Sequence, residues 1–266
     1  MERTAAANNA EQKDGKPESM FGIGEFDNAI QGAMRNGNVY MVSGKTGTGK
    51  TTLCTQFLAE GVRHGERVAI ILTNAAATEY IANSKTFSFG FGEYYKNGAI
   101  EVIEMSNAFG NLKDGIIGSA TYKNTKKYIT ELSTQIKEII AASDMRRVVI
   151  DPITPMLIDN DDFITQFFEA LAIPHVYMLV TSEAIKSDIS RFGYEEYHAA
   201  GVIKLENENA EDGSSGAKKA TIVKMRGSGY DPMPFRFEIT GDGIVPYAES
   251  PETKSLFSIV KEEARE

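Results

Sequence analysis

Gly44-Lys45-Thr46-Gly47-Thr48-Gly49-Lys50-Thr51 is the stretch on which the reading of this sequence turns. It satisfies the P-loop pattern G-x-x-x-x-G-K-[ST], it follows the apolar run Val39 to Ser43, and it precedes a helical pattern whose apolar face carries Leu53, Phe57, Leu58 and Val62. The bare pattern arises by chance in roughly one chain in a hundred of this size, so the flanking strand and helix carry much of the weight. Glycines let successive main-chain N–H groups converge on a multiply charged acceptor without Cβ obstruction, and the helix N-terminus behind them favours anions. The spacing therefore predicts a nucleotide phosphate cradle built from Gly44, Thr46, Gly47, Thr48 and Gly49. Lys50 would neutralise the β- and γ-phosphates, and the Thr51 hydroxyl would ligate Mg2+. Thr52 is placed to approach the α-phosphate, although a plain first-turn helix residue reads the same way.

A P-loop needs a second acidic group to hold the metal, at the C-terminal end of a neighbouring buried strand. Asp151 closes the apolar run Arg147-Val-Val-Ile150, and a carboxylate there is costly to bury unless it meets a cation. It is the expected metal partner of Thr51, the other reading being a turn carboxylate capping Pro152. Further outward, strand-like runs at Val68–Leu72, Ile100–Met105, Arg147–Asp151 and His175–Thr181 alternate with helical patterns at 50–64, 78–84, 123–143 and 161–172. This alternation predicts an α/β domain with a mainly parallel central sheet flanked by helices. After about residue 200 only strands remain, at Val202–Leu205, Ala220–Met225, Phe235–Ile239 and Ile244–Pro246, and they predict antiparallel hairpins added at the sheet edge.

Three smaller features carry two readings each. The strand period of two puts Lys224 and Arg226 on one face, where both cations can address one anion or simply form a solvated basic edge. Ser182, at a strand end, is either a γ-phosphate sensor or an ordinary strand-end hydroxyl. The rings of Phe87, Phe89, Phe91, Tyr94 and Tyr95 suit base stacking, but packing against the sheet fits the acidic balance better.

Composition bounds the rest. The 266 residues are 42% apolar and 24% charged, which excludes wholesale disorder and allows one large domain. A single cysteine, Cys54, excludes an internal disulfide and, with no signal-peptide pattern or bilayer-length apolar run, points to a cytoplasmic protein. The net charge of −9 gives no global field toward nucleic acid or anionic membrane, so neither is expected as a partner. Residues 1–19 are polar with almost no large apolar side chains and are expected to be a disordered arm; 20–248 form the folded domain. The charged tail 249–266 is either frayed or a short docking helix through Leu256, Phe257, Ile259 and Val260.

Taken together, these residues resemble the KaiC-like branch of the RecA-fold ATPases from about Gly22 to Tyr247. Beyond Gly44–Thr52, the likeness rests on Gln56-Phe-Leu-Ala-Glu-Gly61, Gly65-Glu-Arg-Val68, Val149-Ile-Asp151 and Thr181-Ser-Glu183. Its more specific part is Glu196–Ile203, Lys224-Met-Arg-Gly-Ser228, Phe235–Thr240 and Asp242-Gly-Ile-Val245. The resemblance implies a RecA-like P-loop fold, ATP or ADP with Mg2+ bound between neighbouring subunits, commonly of a hexameric ring, and hydrolysis of ATP to ADP and phosphate. It also implies that the Lys-x-Arg pair of one subunit reaches the phosphates held by the next, a pair matched here by Lys224 and Arg226.

The sequence departs from that pattern at the base. Ala75 and Ala76 fall where the family carries a glutamate pair, one of which activates the attacking water, and a methyl group can do neither job. Glu79 is the nearest substitute, though it also reads as a first-turn residue behind an N-cap at Thr78. Losing a general base removes about 10²–10⁴ in rate while leaving phosphate and metal contacts intact, so binding should outlast turnover. Glu196 and Tyr197 stand where the clock protein's kinase half is phosphorylated, and no autokinase or circadian role is expected; Ala200 replaces a frequent aspartate. The expected function is Mg-ATP binding at subunit interfaces, with slow hydrolysis, to control assembly or an unknown protein partner. The alternatives are a competent ATPase using Glu79 or another carboxylate, and a RadA-like recombination mediator binding single-stranded DNA, for which no helix-hairpin-helix arm or basic loop is evident.

Overall fold

The computed structural model describes residues 19–105, 122–185, 188–208 and 217–247. The expected N-terminal arm, apart from Ser19, and the C-terminal tail lie outside the described residues. The chain opens with α1 (Gly24–Ile30), β1 (Asn38–Gly44), α2 (Lys50–Arg63), β2 (Arg67–Leu72), α3 (Ala77–Ser84), α4 (Phe91–Lys96) and β3 (Ile100–Glu104). It continues through α5 (Tyr122–Ala142), β4 (Met145–Asp151), a 3-10 turn at Thr154–Met156, α6 (Asp161–Leu171), β5 (Tyr177–Glu183) and α7 (Glu195–His198). Four strands follow: β6 (Gly201–Asn207), β7 (Lys218–Met225), β8 (Phe235–Thr240) and β9 (Gly243–Pro246).

Among the described residues the nine strands join one sheet in the order β3-β2-β4-β5-β1-β6-β7-β8-β9. The pairs from β3 to β6 are parallel, and the antiparallel part begins with β7. This differs in one strand from the expected edge hairpins, because β6 lies parallel against β1 and only its other edge pairs antiparallel. The period of two sorts the central strands onto two layers. Tyr40, Val42, Val68, Ile70 and Leu72 face one apolar cluster, while Val39, Met41, Ala69 and Ile71 face the other. α2 closes the first layer with Leu53, Cys54, Phe57 and Leu58. α6, capped by the Asn160 side chain accepting from the Phe163 N–H at 2.9 Å, closes the second with Phe163, Ile164, Phe167, Phe168 and Leu171. Each such side chain gains about 1.5–3 kcal/mol on full burial, so these two layers hold the sheet and fix where its strand ends lie.

Two local departures from the expected elements matter for the site. β5 begins at Tyr177 rather than His175, because His175 sits in the left-handed region at φ 66° and turns the chain. At its other end the strand runs on to Glu183, still paired with Gly44 of β1. Within the aromatic group, Gly90 at φ 91° starts the unforeseen α4, and Phe89 and Phe91 are buried in the first layer, with Phe91 edge-on to Tyr80 at 5.6 Å. Among the described residues no helix is long and apolar enough to cross a membrane.

Candidate nucleotide-binding site

The loop 45–49 carries the chain from the C-terminal end of β1, between β5 and β6, to the N-terminus of α2. It passes too close to its neighbours for side chains at two positions. A Cβ on Gly44 would lie 2.3 Å from the Leu205 carbonyl oxygen, and one on Gly49, at φ 101°, would lie 2.7 Å from Ile239 Cδ1. Thr48 is buried and donates its hydroxyl to the Lys45 carbonyl at 2.8 Å, which closes the turn from below. Lys218, at the start of β7, donates its ammonium to the Gly47 carbonyl at 2.9 Å and to Asn207 Oδ1 at 2.7 Å, fastening the loop to the antiparallel edge.

Above the loop lies a cavity of about 440 Å3, within the range of small-molecule sites. Thr46, Gly47, Gly49, Lys50, Thr51 and Thr52 form one wall. Asn74, Ala75, Glu79 and Asn83 form the second, and Asp151, Glu183 and Ile239 complete it. Lys50 Nζ donates to the carbonyls of Gly44 at 2.8 Å and Lys45 at 3.0 Å. Burial lowers its pKa, and the carboxylates of Asp151 and Glu183 pull it back up. The Thr51 hydroxyl donates to Asp151 Oδ2 at 2.6 Å, and the Thr181 hydroxyl holds the other oxygen, Oδ1, at 2.5 Å. A hydroxyl and an oriented carboxylate beside an ammonium are hard oxygen donors of the kind Mg2+ takes, so this chain's residues fit the ion. Thr51 and Asp151 would hold it, and Thr181 would orient the carboxylate.

The remaining expected residues divide. Gly44 and Thr48 shape the turn from beneath rather than lining the cavity. Ser182 is fully buried, 3.4 Å from Glu195 Oε1 and accepting the Arg191 N–H at 3.4 Å, so it faces away from the cavity. Its neighbour Glu183, which pairs with Arg191 at 3.5 Å, lines the cavity instead. Glu183 was missed because the strand was read as ending two residues early; the alternation of β5 around Thr181 is the signal that finds it. Thr78 is not the N-cap of α3: that position is Ala76, and the Ala77 N–H donates to Glu104 Oε2 at 3.0 Å because alanine offers no acceptor. Glu79 stands in the first turn and lines the cavity mouth.

Lys224 and Arg226 do not reach the cavity of their own chain. Lys224 pairs with Val202 and Arg226 donates its N–H to the Ala200 carbonyl, toward the start of β1, whereas the phosphate loop is at its end. Lys224 Nζ donates to the carbonyls of Glu196 at 2.7 Å and Tyr197 at 3.1 Å, and the Arg226 guanidinium also donates to the Tyr197 carbonyl. Burial, and then the neighbouring Arg226, lower the Lys224 pKa to about 8, with Glu196 opposing the shift.

This loop, this carboxylate and this sheet order occur together over a stretch that matches the family model described as "ATPase: KaiC", at residues 20–250. The chain belongs to the KaiC ATPase family. It is 27% identical to the circadian clock oscillator protein KaiC of Rippkaea orientalis over 82% of its own length and 42% of that protein's. The chain thus spans less than half of that relative. It is also 27% identical to a UPF0273 protein of Thermotoga maritima, over 85% of this chain and 94% of that one. The crystal structure of a KaiC-like protein from the hyperthermophilic archaeon Pyrococcus horikoshii superposes with a TM-score of 0.67 at 25% identity, covering 86% of this chain and 97% of the other. As a member of the KaiC ATPase family the chain has a nucleotide-binding P-loop fold, and its P-loop pattern is the glycine loop with Lys50 and Thr51. Against the family pattern, the alanine at position 75 stands in the cavity wall.

Proposed function

We propose that this KaiC-family chain binds Mg-ATP in the P-loop cavity at an interface between copies, and that nucleotide state, turned over slowly, controls assembly or a protein partner. The observation that carries the reading is the Thr51–Asp151 hydrogen bond of 2.6 Å beside Lys50, at the mouth of a glycine loop whose opposite wall presents Ala75 where a base is needed. The metal, when bound, would neutralise phosphate charge there. This chain's own residues bind the triphosphate through loop N–H groups and Lys50, and Thr181 orients Asp151. No carboxylate replaces the methyl of Ala75 to accept a proton at that position.

Lys50→Ala is expected to weaken ATP binding about 100-fold, since two charge-assisted bonds of about 1.5 kcal/mol each disappear. Titration calorimetry of wild type and variant measures it, and binding that does not depend on Lys50 would remove the reading. The remoteness of Lys224 and Arg226 from their own cavity supports a role for both in trans. Because the Lys224 pKa is held at about 8, the charged form dominates at pH 7 and is lost as pH rises past that value. ATP-driven association should therefore weaken between pH 7 and 9, and anion binding should take up a proton above pH 8. In Lys224→Arg this pH dependence should vanish, as sedimentation velocity across the range would reveal.

A second reading, a competent ATPase, is favoured by one observation: Glu79 and Glu183 both line the cavity. Single-turnover hydrolysis in Glu79→Gln and Glu183→Gln distinguishes the two, because a large loss of rate with affinity retained in either would make that carboxylate the base.

A further inference from the structure

A second recess, of about 250 Å3, lies at the opposite end of β1 from the phosphate loop. Asn38 and Tyr40 of β1, Thr165 of α6, His198 of α7, and two arginines, Arg35 and Arg226, line it. Arg35 is exposed and donates Nη1 to the carbonyls of Gly32 and of Met34, the latter at 3.1 Å. Arg226 donates Nη2 to the Tyr197 carbonyl. Among the described residues neither guanidinium forms an ion pair, although Glu169 also borders the recess from an exposed position. A guanidinium carries five N–H donors, so each arginine keeps most of its fork for another acceptor. In a chain with 37 acidic and 28 basic side chains, two arginines sharing one recess, neither of them paired with the bordering Glu169, mark a seat for an anion from elsewhere.

We propose that Arg35 is a third cation of the intersubunit face: with Arg226, it receives the polyphosphate of a nucleotide held by a second copy of this chain. The inference rests on the trans arrangement proposed above and extends it to a residue just ahead of β1, far in sequence from the Lys-x-Arg pair. Arg226 belongs to both groups. It lines this recess and shares the Tyr197 carbonyl with Lys224, which places Arg35, Arg226 and Lys224 along one continuous edge. His198 is engaged with Asp161 at 2.9 Å and leaves the anion to the arginines.

The test compares Arg35→Ala, Arg35→Lys, Lys224→Ala and Arg226→Ala by sedimentation velocity with ATP, with ADP and without nucleotide. ATP-driven association should fall about tenfold in Arg35→Ala and recover in part in Arg35→Lys, while nucleotide affinity below the association range stays at the wild-type value. Mixing Arg35→Ala chains with Lys50→Ala chains in equal amounts should raise association above what either forms alone, because about one heterologous interface in four then joins an intact loop to an intact face. If Lys224→Ala and Arg226→Ala weaken association and Arg35→Ala does not, the Arg35 inference falls and the trans reading stands. If none of the three matters, the trans reading falls as well. A loss in Arg35→Ala that is equal with and without nucleotide, or that mixing does not repair, assigns Arg35 a structural role and overturns the inference.

Discussion

Ala75→Glu is expected to raise single-turnover ATP hydrolysis by about 10²–10⁴-fold with ATP affinity nearly unchanged, the converse of deleting a general base. The gain should be unequal at the two alanines. Ala75 lines the cavity, so a carboxylate there enters the space beside Lys50 and Thr51. Ala76 is the N-cap of α3, next to the Ala77 N–H that Glu104 already accepts, so Ala76→Glu sets two carboxylates against each other and adds little to turnover. Quenched-flow measurement of the three combinations reads this directly. A double variant no faster than the parent would mean that something other than the missing base limits the reaction, and would shift attention to Glu79 and Glu183.

Arg147→Ala should be the most destabilising single change, by about 3–5 kcal/mol. Arg147 is fully buried on β4, donates to Glu66 and to the carbonyls of Met20 at 2.5 Å and Phe57 at 3.1 Å, and stacks over the Phe57 ring at 4.9 Å. It joins the segment before α1, the phosphate-loop helix and the central sheet through one guanidinium. Truncation leaves two carbonyls and a carboxylate without their donor, and thermal unfolding should move down by about 10 °C. Arg147→Met with Glu66→Gln keeps the volume and removes both charges, so it should recover part of the loss. A melting temperature in Arg147→Ala within a degree or two of the parent would contradict this account.

The same arginine explains a residue that the sequence left without a reason. Gly61 lies inside α2, where glycine is unfavourable by about 1 kcal/mol relative to alanine. A Cβ at that position would stand 2.7 Å from Arg147 Cδ, so the helix has a gap where the buried side chain crosses it. Local patterns made most of the fold legible: the apolar runs of β1 and β2, the apolar face of α2 and the strand-final Asp151 all sit where the sequence puts them. What stayed hidden depends on long-range contacts or single dihedrals. The left-handed turn at His175 delays the start of β5, and at its far end the strand's alternation puts Glu183 rather than Ser182 in the cavity wall. The donor to the Gly47 carbonyl, Lys218, is 171 positions away in sequence, and no local window connects the two.

That tether gives β7 an unusual mechanical position. One end of the strand is pinned through Lys218 to the crown of its own phosphate loop, and the other carries Lys224. A hydrogen-bonded strand is stiff along its length, so in the proposed assembly it would work as a strut: a push delivered where one copy grips its neighbour's triphosphate arrives, roughly 20 Å away, at the clasp holding its own.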